Sequence, residues 1–375
     1  TLLELAFPDS WEVTVWEWRG HDRPCLGDRE IREAFANPIG TNPIRELAQG
    51  KESAVIVFDD LSRPTKVDEL IPYVLEELET AGISDEKVSF IAATACHGQM
   101  TRVDLVKKLG SMVLDRFPVY NHNPYENCTY LGKTSRETPV SINSEFIRAD
   151  LKIGIGCVLP RSPRAWGGGG KIVVPGVASM ETIVANHLAL VDRLNASSTL
   201  TSLESIEDEM YADIYEMARM ANLTVKIDVL VNDKRETTAL FIGEPLTEHA
   251  QAVESAKAHY ATDTPGNVDV IVANNYAKAN NAYLGYTTAS RLFGEKSGSL
   301  VLIANAPDGQ INHYLCGSWG RTMGGRGWLR PSSLPQGVNR LIIFTEYIDR
   351  ACQWYGPSER ITWARTWREV LEELR

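Results

Sequence analysis

The alternation of short apolar runs with segments of helical spacing restricts the fold of this 375-residue chain more than any other feature. The first such run, "AVIVFDD" (54–60), is β-branched and ends in acids, as a buried parallel strand does. The next segment has Pro64 near its start, apolar residues at helical spacing and Gly82 at its end, which predicts a helix. Strand, helix, strand and helix in this order predict an α/β fold.

The same pattern continues along the chain. Strands are predicted from "KVSFIAATA", "DLKIGIGCVLP", "TVKIDVLVND", "TALFIGEP", "VDVIVANN", "SLVLIANAP" and "RLIIFTEY", and helices from "MTRVDLVKKLG", "METIVANHLALVDRL", "SIEDEMYADIYEMARMANL" and "ARTWREVLEELR". The chain is longer than one hydrophobic core usually supports, and turn-forming residues cluster in "ATDTPGNVD". We therefore predict two α/β domains, residues 1–265 and 266–375, with a cleft between them.

Charge and cysteine usage narrow the class of partner. A formal net charge of -11 argues against nucleic acid or an anionic membrane surface as the main partner. The six cysteines form no CxxC pair, so we expect free thiols in a reducing compartment. No run reaches the length of a membrane span and the first residues do not resemble a signal peptide, so a cytoplasmic location is expected.

Four polar segments follow predicted strands, where ligands of open α/β sheets gather: "DDLSRP", "ACHGQMT", "PRSPRAWGGGGK" and "ANNYAKANNAY". In the first, Asp60 and Arg63 suit an anion site at a helix start, or equally a local ion pair with a helix cap. In the second, His97 is placed to be a general acid or base, although a lone histidine is more often structural. These segments alone leave both interpretations open.

The third segment places four consecutive glycines directly before Lys171. Glycine runs mark places where other atoms approach the backbone closely. A phosphate-binding loop is excluded, because Ala165 and Ile172 occupy the positions that such a loop gives to glycine and to a hydroxyl residue. A flexible surface loop is the plain alternative, but Trp166 and "KIVVPGV" favour a packed segment. His187, among apolar neighbours of a predicted helix, suits simple packing.

Taken in order, "DDLSRP" (59–64), "CHG" (96–98), "GGGKIVVPGV" (168–177) and "NH" (186–187) resemble the nickel-pincer lactate racemase family. The resemblance implies a two-domain α/β enzyme that holds a nickel pincer nucleotide, a pyridinium mononucleotide carrying nickel, and that depends on cofactor-synthesis enzymes for loading. By position, Lys171 is the attachment lysine, His187 the nickel ligand and His97 a catalytic acid or base. The other residues implied to contact the cofactor are Asp60, Arg63, Trp166, Gly169, Gly170 and Tyr283.

Two departures from the family pattern bear on the substrate. Arg161 stands ten residues before Lys171, where the family has its second catalytic histidine, and a guanidinium does not readily accept a proton. The family's Tyr-Gln-X-X-Lys element keeps Tyr283 but has Leu284 and Thr287 at the polar positions. The resemblance therefore implies racemisation or epimerisation of an α-hydroxyacid other than lactate.

Alternatives to that reaction stay open. His313 or Tyr283 can replace the missing histidine, or one base serves a redox or other hydroxyacid transformation, with Arg161 binding a carboxylate or alkoxide. His122, in "YNHNP", is expected to belong to a turn. A binding protein of the same fold without the cofactor is the alternative from another functional class.

Overall fold

The computed structural model describes residues 3–160, 165–187, 200–263, 266–325, 334–349 and 358–375, without the side chains of 200–207, 277, 283, 284, 287, 318 and 358. The strands are β1 (Ala54–Asp59), β2 (Val88–Ala93), β3 (Val119–Asn121), β4 (Cys128–Lys133), β5 (Pro139–Asn143), β6 (Leu151–Cys157), β7 (Val225–Val231), β8 (Thr237–Gly243), β9 (Val270–Asn274), β10 (Gly298–Ile303), β11 (Val338–Phe344) and β12 (Ile361–Ala364). The helices are α1 (Asp28–Ala36), α2 (Ile44–Leu47), α3 (Ile71–Thr80), α4 (Arg102–Leu109), α5 (Ser111–Arg116), α6 (Ser144–Arg148), α7 (180–187), α8 (Leu200–Met220), α9 (Pro245–His259), α10 (Ala282–Ala289), α11 (Gly317–Thr322) and α12 (Trp367–Glu373). The predicted α/β class is confirmed.

A six-stranded sheet in the order β3-β2-β1-β6-β7-β8 forms the first half of the fold. Its strands are parallel except β8, which pairs antiparallel with β7 at the edge. Every residue of β1, β6 and β7 is buried, as expected for parallel strands covered on both faces. The carboxyl ends of β1, β2 and β6 therefore lie side by side, and the polar segments after them are brought together.

A second, four-stranded parallel sheet has the order β12-β11-β10-β9. The domain boundary predicted near residue 265 stays a prediction, and residues 264–265 lie outside the described ranges. The start of the chain contacts the second half: the indole nitrogen of Trp367 donates to the Ala6 carbonyl at 2.6 Å, and Phe7 packs edge-on against Trp367. The first residues of the chain therefore contact the segment that the predicted boundary assigns to the second domain.

The helix after β1 begins later than predicted. The amine of Lys108 donates to the carbonyl oxygens of Arg63 at 3.2 Å and Thr65 at 2.8 Å, and regular α-helix starts only at Ile71. Residues 60–63 instead form a turn, in which the Arg63 amide donates to the Asp60 carbonyl at 3.1 Å. Asp60 and Arg63 therefore belong to a strand-end loop rather than to a helix start.

No described helix is long and apolar enough to cross a membrane. No disulfide joins the five cysteines that lie in the described ranges, in agreement with the predicted thiols; the sixth, Cys352, lies outside them.

Candidate functional site

The two aspartates at the end of β1 have different surroundings. Asp59 forms a buried ion pair with Lys108 at 2.6 Å and accepts a hydrogen bond from the Thr65 hydroxyl at 2.6 Å. Asp60 turns to the end of the neighbouring strand, where its Oδ2 lies 2.6 Å from Nδ1 of His97. Asp59 therefore holds the loop in place, while Asp60 orients a histidine.

The carboxylate of Asp60 fixes the protonation of the His97 ring. Burial alone would raise the pKa of Asp60, but the charge and hydrogen bond of His97, with Arg63 and Ser62, hold it far below its ordinary value. An ionised carboxylate only accepts hydrogen bonds, so Nδ1 of His97 carries the proton. Whenever the ring is neutral, the opposite nitrogen, Nε2, is its basic atom, as in other carboxylate-histidine pairs.

The turn that carries His97 is joined to the second half of the fold. The Tyr314 amide donates to the Cys96 carbonyl at 2.7 Å, and the Gly98 amide donates to the Asn312 carbonyl at 3.0 Å. These bonds flank an antiparallel bridge between His97 and His313, whose ring centroids lie 5.2 Å apart. The structure thus places a second histidine beside the first, although the two are far apart in sequence.

The segment after β9 also reaches the strand-end loop. The amine of Lys278 donates to the Ser62 carbonyl at 2.9 Å, and the side-chain amide of Asn280 donates to the Leu61 carbonyl at 2.9 Å. Arg63 lies in the same loop, with its guanidinium 2.6 Å from the Ser62 hydroxyl. Two cationic side chains, one from each half of the fold, therefore reach the loop beside Asp60.

The glycine run packs against the protein's own polar side chains. A Cβ on Gly168 would come within 2.6 Å of an Asp228 oxygen, and one on Gly169 within 2.6 Å of the His249 ring and the Tyr215 hydroxyl. The Gly169 amide donates to Asp228 at 2.7 Å. The close approach predicted from the sequence is therefore present, and at Gly168 and Gly169 it is made by protein atoms on the side where a Cβ would stand.

A buried ion pair lies beneath this turn. Lys226 and Asp228 are fully buried and form an ion pair at 2.6 Å, and Nε2 of His249 donates to the Gly167 carbonyl at 2.8 Å. Burial, with the charge of Asp228, raises the pKa of Glu248 well above its ordinary value. These buried polar side chains fix the backbone of the turn that carries Lys171.

The alanine variant of Gly169 tests that packing. Its φ of +55° and the close contacts with His249 and Tyr215 both oppose a side chain. Gly50 is a matched control, because its φ is +72° but no heavy atom lies within 4 Å of the point where a Cβ would stand. We expect Gly50→Ala to lower the free energy of unfolding by about 1 kcal/mol and Gly169→Ala by about 1–3 kcal/mol more.

Urea denaturation followed by tryptophan fluorescence measures the difference. Equal losses in the two variants would contradict the packing role of the Gly169 position.

The side chain of Lys171 is held by a tyrosine that sequence analysis does not identify. The Lys171 amine donates to the Tyr211 hydroxyl at 2.8 Å and lies 4.4 Å from the centre of that ring. The same hydroxyl accepts from the Trp166 amide at 2.6 Å and donates to the Trp166 carbonyl. Tyr211, on α8, thereby connects the two ends of the glycine run.

His187 closes the described part of α7. The helix is held by Asn186, whose buried amide donates to Asp213 at 2.8 Å, and Asp213 also accepts from the Thr138 hydroxyl at 2.9 Å. His187 itself is half-buried. The pair "NH" thus has one residue that anchors the helix to α8 and one that is partly accessible.

The structure brings together some predicted site residues and leaves others undescribed. Asp60, Arg63 and His97 form one connected group, while Lys171, Trp166 and Gly169 form another around Tyr211 and Asp228. Gly170 lies in the same turn, where a Cβ would come within 3.4 Å of the Tyr215 ring. Arg161 lies outside the described residues, as does the side chain of Tyr283. His122 lies just after β3 and is buried, with Nε2 2.8 Å from the Ala178 carbonyl, and burial lowers its pKa to about 4.

The sequence does not predict the contacts that three residues make in the site. Tyr211 and Lys278 are not among the site residues predicted from the sequence, and His313 is predicted only as an alternative. Lys278 does belong to "ANNYAKANNAY", which the strand-end rule selects, but nothing in the sequence separates it from its neighbours. In the sequence, Tyr211 is only one of many residues of the long acidic helix predicted from "SIEDEMYADIYEMARMANL".

The sequence is similar to one known family and to proteins of known activity. The family described as "Lactate racemase N-terminal domain" matches residues 1–199. The lactate racemase of Thermoanaerobacterium thermosaccharolyticum is 26% identical over 322 residues, which cover 84% of this chain and 71% of that protein. That of Lactiplantibacillus plantarum is 26% identical over 292 residues, 76% of this chain and 68% of the other.

Solved structures show the same fold. The lactate racemase apoprotein from T. thermosaccharolyticum superposes with a TM-score of 0.73 at 20% identity, covering 99% of this chain and 92% of the other. A Thermotoga maritima protein superposes with a TM-score of 0.57 at 17% identity, covering 86% and 91%. The family match, residues 1–199, spans more than half of this chain. The chain therefore belongs to the lactate racemase family and is an isomerase of the racemase type.

Proposed function

We propose that this chain is a nickel-pincer-nucleotide-dependent racemase or epimerase of an α-hydroxyacid other than lactate. The Asp60–His97 pair at the end of two parallel strands carries the proposal, because it supplies an oriented base in the family's motif. The cofactor, when bound, supplies a reversible acceptor for hydride from the carbinol carbon of the substrate. The residues of the chain bind and orient the substrate and exchange its hydroxyl proton.

The residues around Lys171 fit such a group. The lysine amine is a nucleophile at the end of a rigid turn, and the Tyr211 hydroxyl fixes its position. His187 offers an imidazole, which is a suitable ligand for nickel. Arg63, in the strand-end loop, offers a guanidinium for a nucleotide phosphate. We assign attachment to Lys171, metal ligation to His187 and phosphate binding to Arg63.

His97 is the proposed proton acceptor. Its Nδ1 proton is committed to Asp60, which leaves Nε2 to take the proton of the substrate hydroxyl. Asp60 stabilises the imidazolium that results, since its carboxylate remains ionised. In the reverse direction the same nitrogen returns the proton to the oxygen of the ketoacid.

The substrate carboxylate requires a cationic partner. Lys278 reaches the strand-end loop from the second half of the fold, at 2.9 Å from the Ser62 carbonyl. It offers a positive charge although Thr287 replaces the lysine of the family's element. A different position for this cation supports a hydroxyacid bound differently from lactate.

The second candidate function keeps the cofactor but uses one base for a redox or related transformation. It is motivated by Arg161, which replaces the family's second histidine. His313 supports the two-base alternative, because its ring lies beside that of His97. The two functions predict different products from a single enantiomer.

A panel of single-enantiomer α-hydroxyacids tests the proposal. The panel contains lactate, aromatic hydroxyacids and sugar acids, and the protein is coexpressed with the pincer-synthesis enzymes. Chiral chromatography is expected to show the opposite enantiomer or epimer of one larger hydroxyacid and no net ketoacid. Accumulation of ketoacid would support the second function, and racemisation of lactate alone would contradict the substrate assignment.

A further inference from the structure

A thiol and two imidazoles meet where the two halves of the fold touch. Suitable ligand atoms of Cys96, His97 and His313 all lie within 4.8 Å of one another. Cys96 and His97 follow β2, whereas His313 belongs to the segment after β10. His187, which the proposed function assigns to nickel, is not part of this group.

The backbone fixes all three residues from both sides. Ala95 adopts a φ of +52°, which ends the strand in a tight turn, and its amide donates to the Gly176 carbonyl at 2.9 Å. The hydrogen bonds of Cys96 with Tyr314 and of Gly98 with Asn312 then hold the facing segment. Backbone hydrogen bonds therefore hold the two segments that carry the ligand set against each other.

The spacing of Cys96 and His313 is close to that of two ligands of one metal ion. Both ring nitrogens of His313 lie 3.9 Å from the Cys96 sulfur. A tetrahedral zinc ion with ordinary bond lengths holds sulfur and nitrogen ligands about 3.6 Å apart. Metal binding through Nδ1 of His313 would replace the long 3.3 Å contact that the Leu315 amide makes with this nitrogen.

The surroundings suit a soft divalent ion. Asp60 accepts from Nδ1 of His97 at 2.6 Å, which is the outer carboxylate that metal-bound histidines commonly have. A thiolate with two imidazoles favours zinc, cobalt or copper over magnesium or calcium. The thiolate and the Asp60 carboxylate together balance the charge of a divalent ion.

We propose that Cys96, His97 and His313 form a binding site for a thiophilic divalent cation, represented by Zn²⁺. The ion joins the two halves of the fold and leaves a fourth coordination position for water. It also covers Nε2 of His97, so occupancy blocks the proton transfer; this consequence rests on the proposed function, whereas the binding itself does not.

Cobalt binding to the full-length protein without cofactor tests the site. Co²⁺ is expected to bind equimolar with the chain and to show thiolate-to-cobalt charge-transfer absorption in the near ultraviolet, which excess Zn²⁺ removes. Cys96→Ser is expected to lose the absorption, while Cys128→Ser, a matched change at another thiol, keeps it. Absence of the band in the wild-type protein, or its persistence in Cys96→Ser, would overturn the proposal.

Two further variants test the ligand from the other half of the fold and the outer carboxylate. Asp60→Asn is expected to weaken Co²⁺ binding by about 10- to 100-fold, and His313→Ala by at least as much. Wild-type affinity in a His313→Ala protein with unchanged circular dichroism would overturn the assignment. Because no substrate or pincer cofactor is used, failure of this site leaves the racemase proposal standing, and the reverse also holds.

Discussion

A Lys171→Ala variant coexpressed with the pincer-synthesis enzymes is expected to carry no covalent adduct. The amine is the proposed nucleophile, and alanine removes it while leaving the glycine turn and its contacts with Asp228 in place. Whole-protein mass spectrometry measures the loss directly. The expected change is from a loaded chain to one with only its sequence mass.

Lys133→Ala is the control for this variant, because Lys133 is an exposed lysine far along the chain from the turn, with about half of its side chain accessible (52%). It is expected to load like the wild-type protein. An undiminished adduct on the Lys171→Ala chain would refute the attachment site.

His97→Gln is expected to lower kcat/KM by about 10²- to 10⁴-fold, the usual contribution of a general acid or base. Glutamine keeps a hydrogen bond to Asp60 but cannot take up the substrate proton. The hydroxyacid identified by the enantiomer panel is the substrate for this assay. Loading of Lys171 is expected to be unchanged, which separates a defect in proton transfer from a defect in cofactor binding.

His21→Gln is the control for His97→Gln. His21 is partly exposed and pairs with Glu17 rather than with any residue of the site. Its activity is expected to match the wild-type protein. Near-normal activity of His97→Gln would contradict its role as the base.

The strands and the positions of the polar segments follow from the sequence. Runs such as "AVIVFDD" and "DLKIGIGCVLP" are buried strands, and parallel pairing brings their carboxyl ends together. Thr101 and Asp104 form the capping box that their spacing predicts at the start of α4. The strands and the capping box are local features, so the order of residues is enough to predict them.

Contacts between distant segments could not be predicted in this way. Lys108, on α4, donates to the carbonyls of residues 63 and 65, in the loop that precedes the late start of the helix after β1. His313 meets His97 only because two separate segments pair across the two halves of the fold. Such contacts depend on tertiary packing, which periodicity does not encode.

By our proposal, this member of the lactate racemase family carries a nickel pincer nucleotide on Lys171. The most direct test is the intact mass of the wild-type chain after coexpression with the pincer-synthesis enzymes, with nickel content determined on the same sample and the adduct mapped by peptide. We expect an adduct on Lys171 and nickel equimolar with the chain. An unmodified chain without nickel, from a host that loads a known lactate racemase, would contradict the claim.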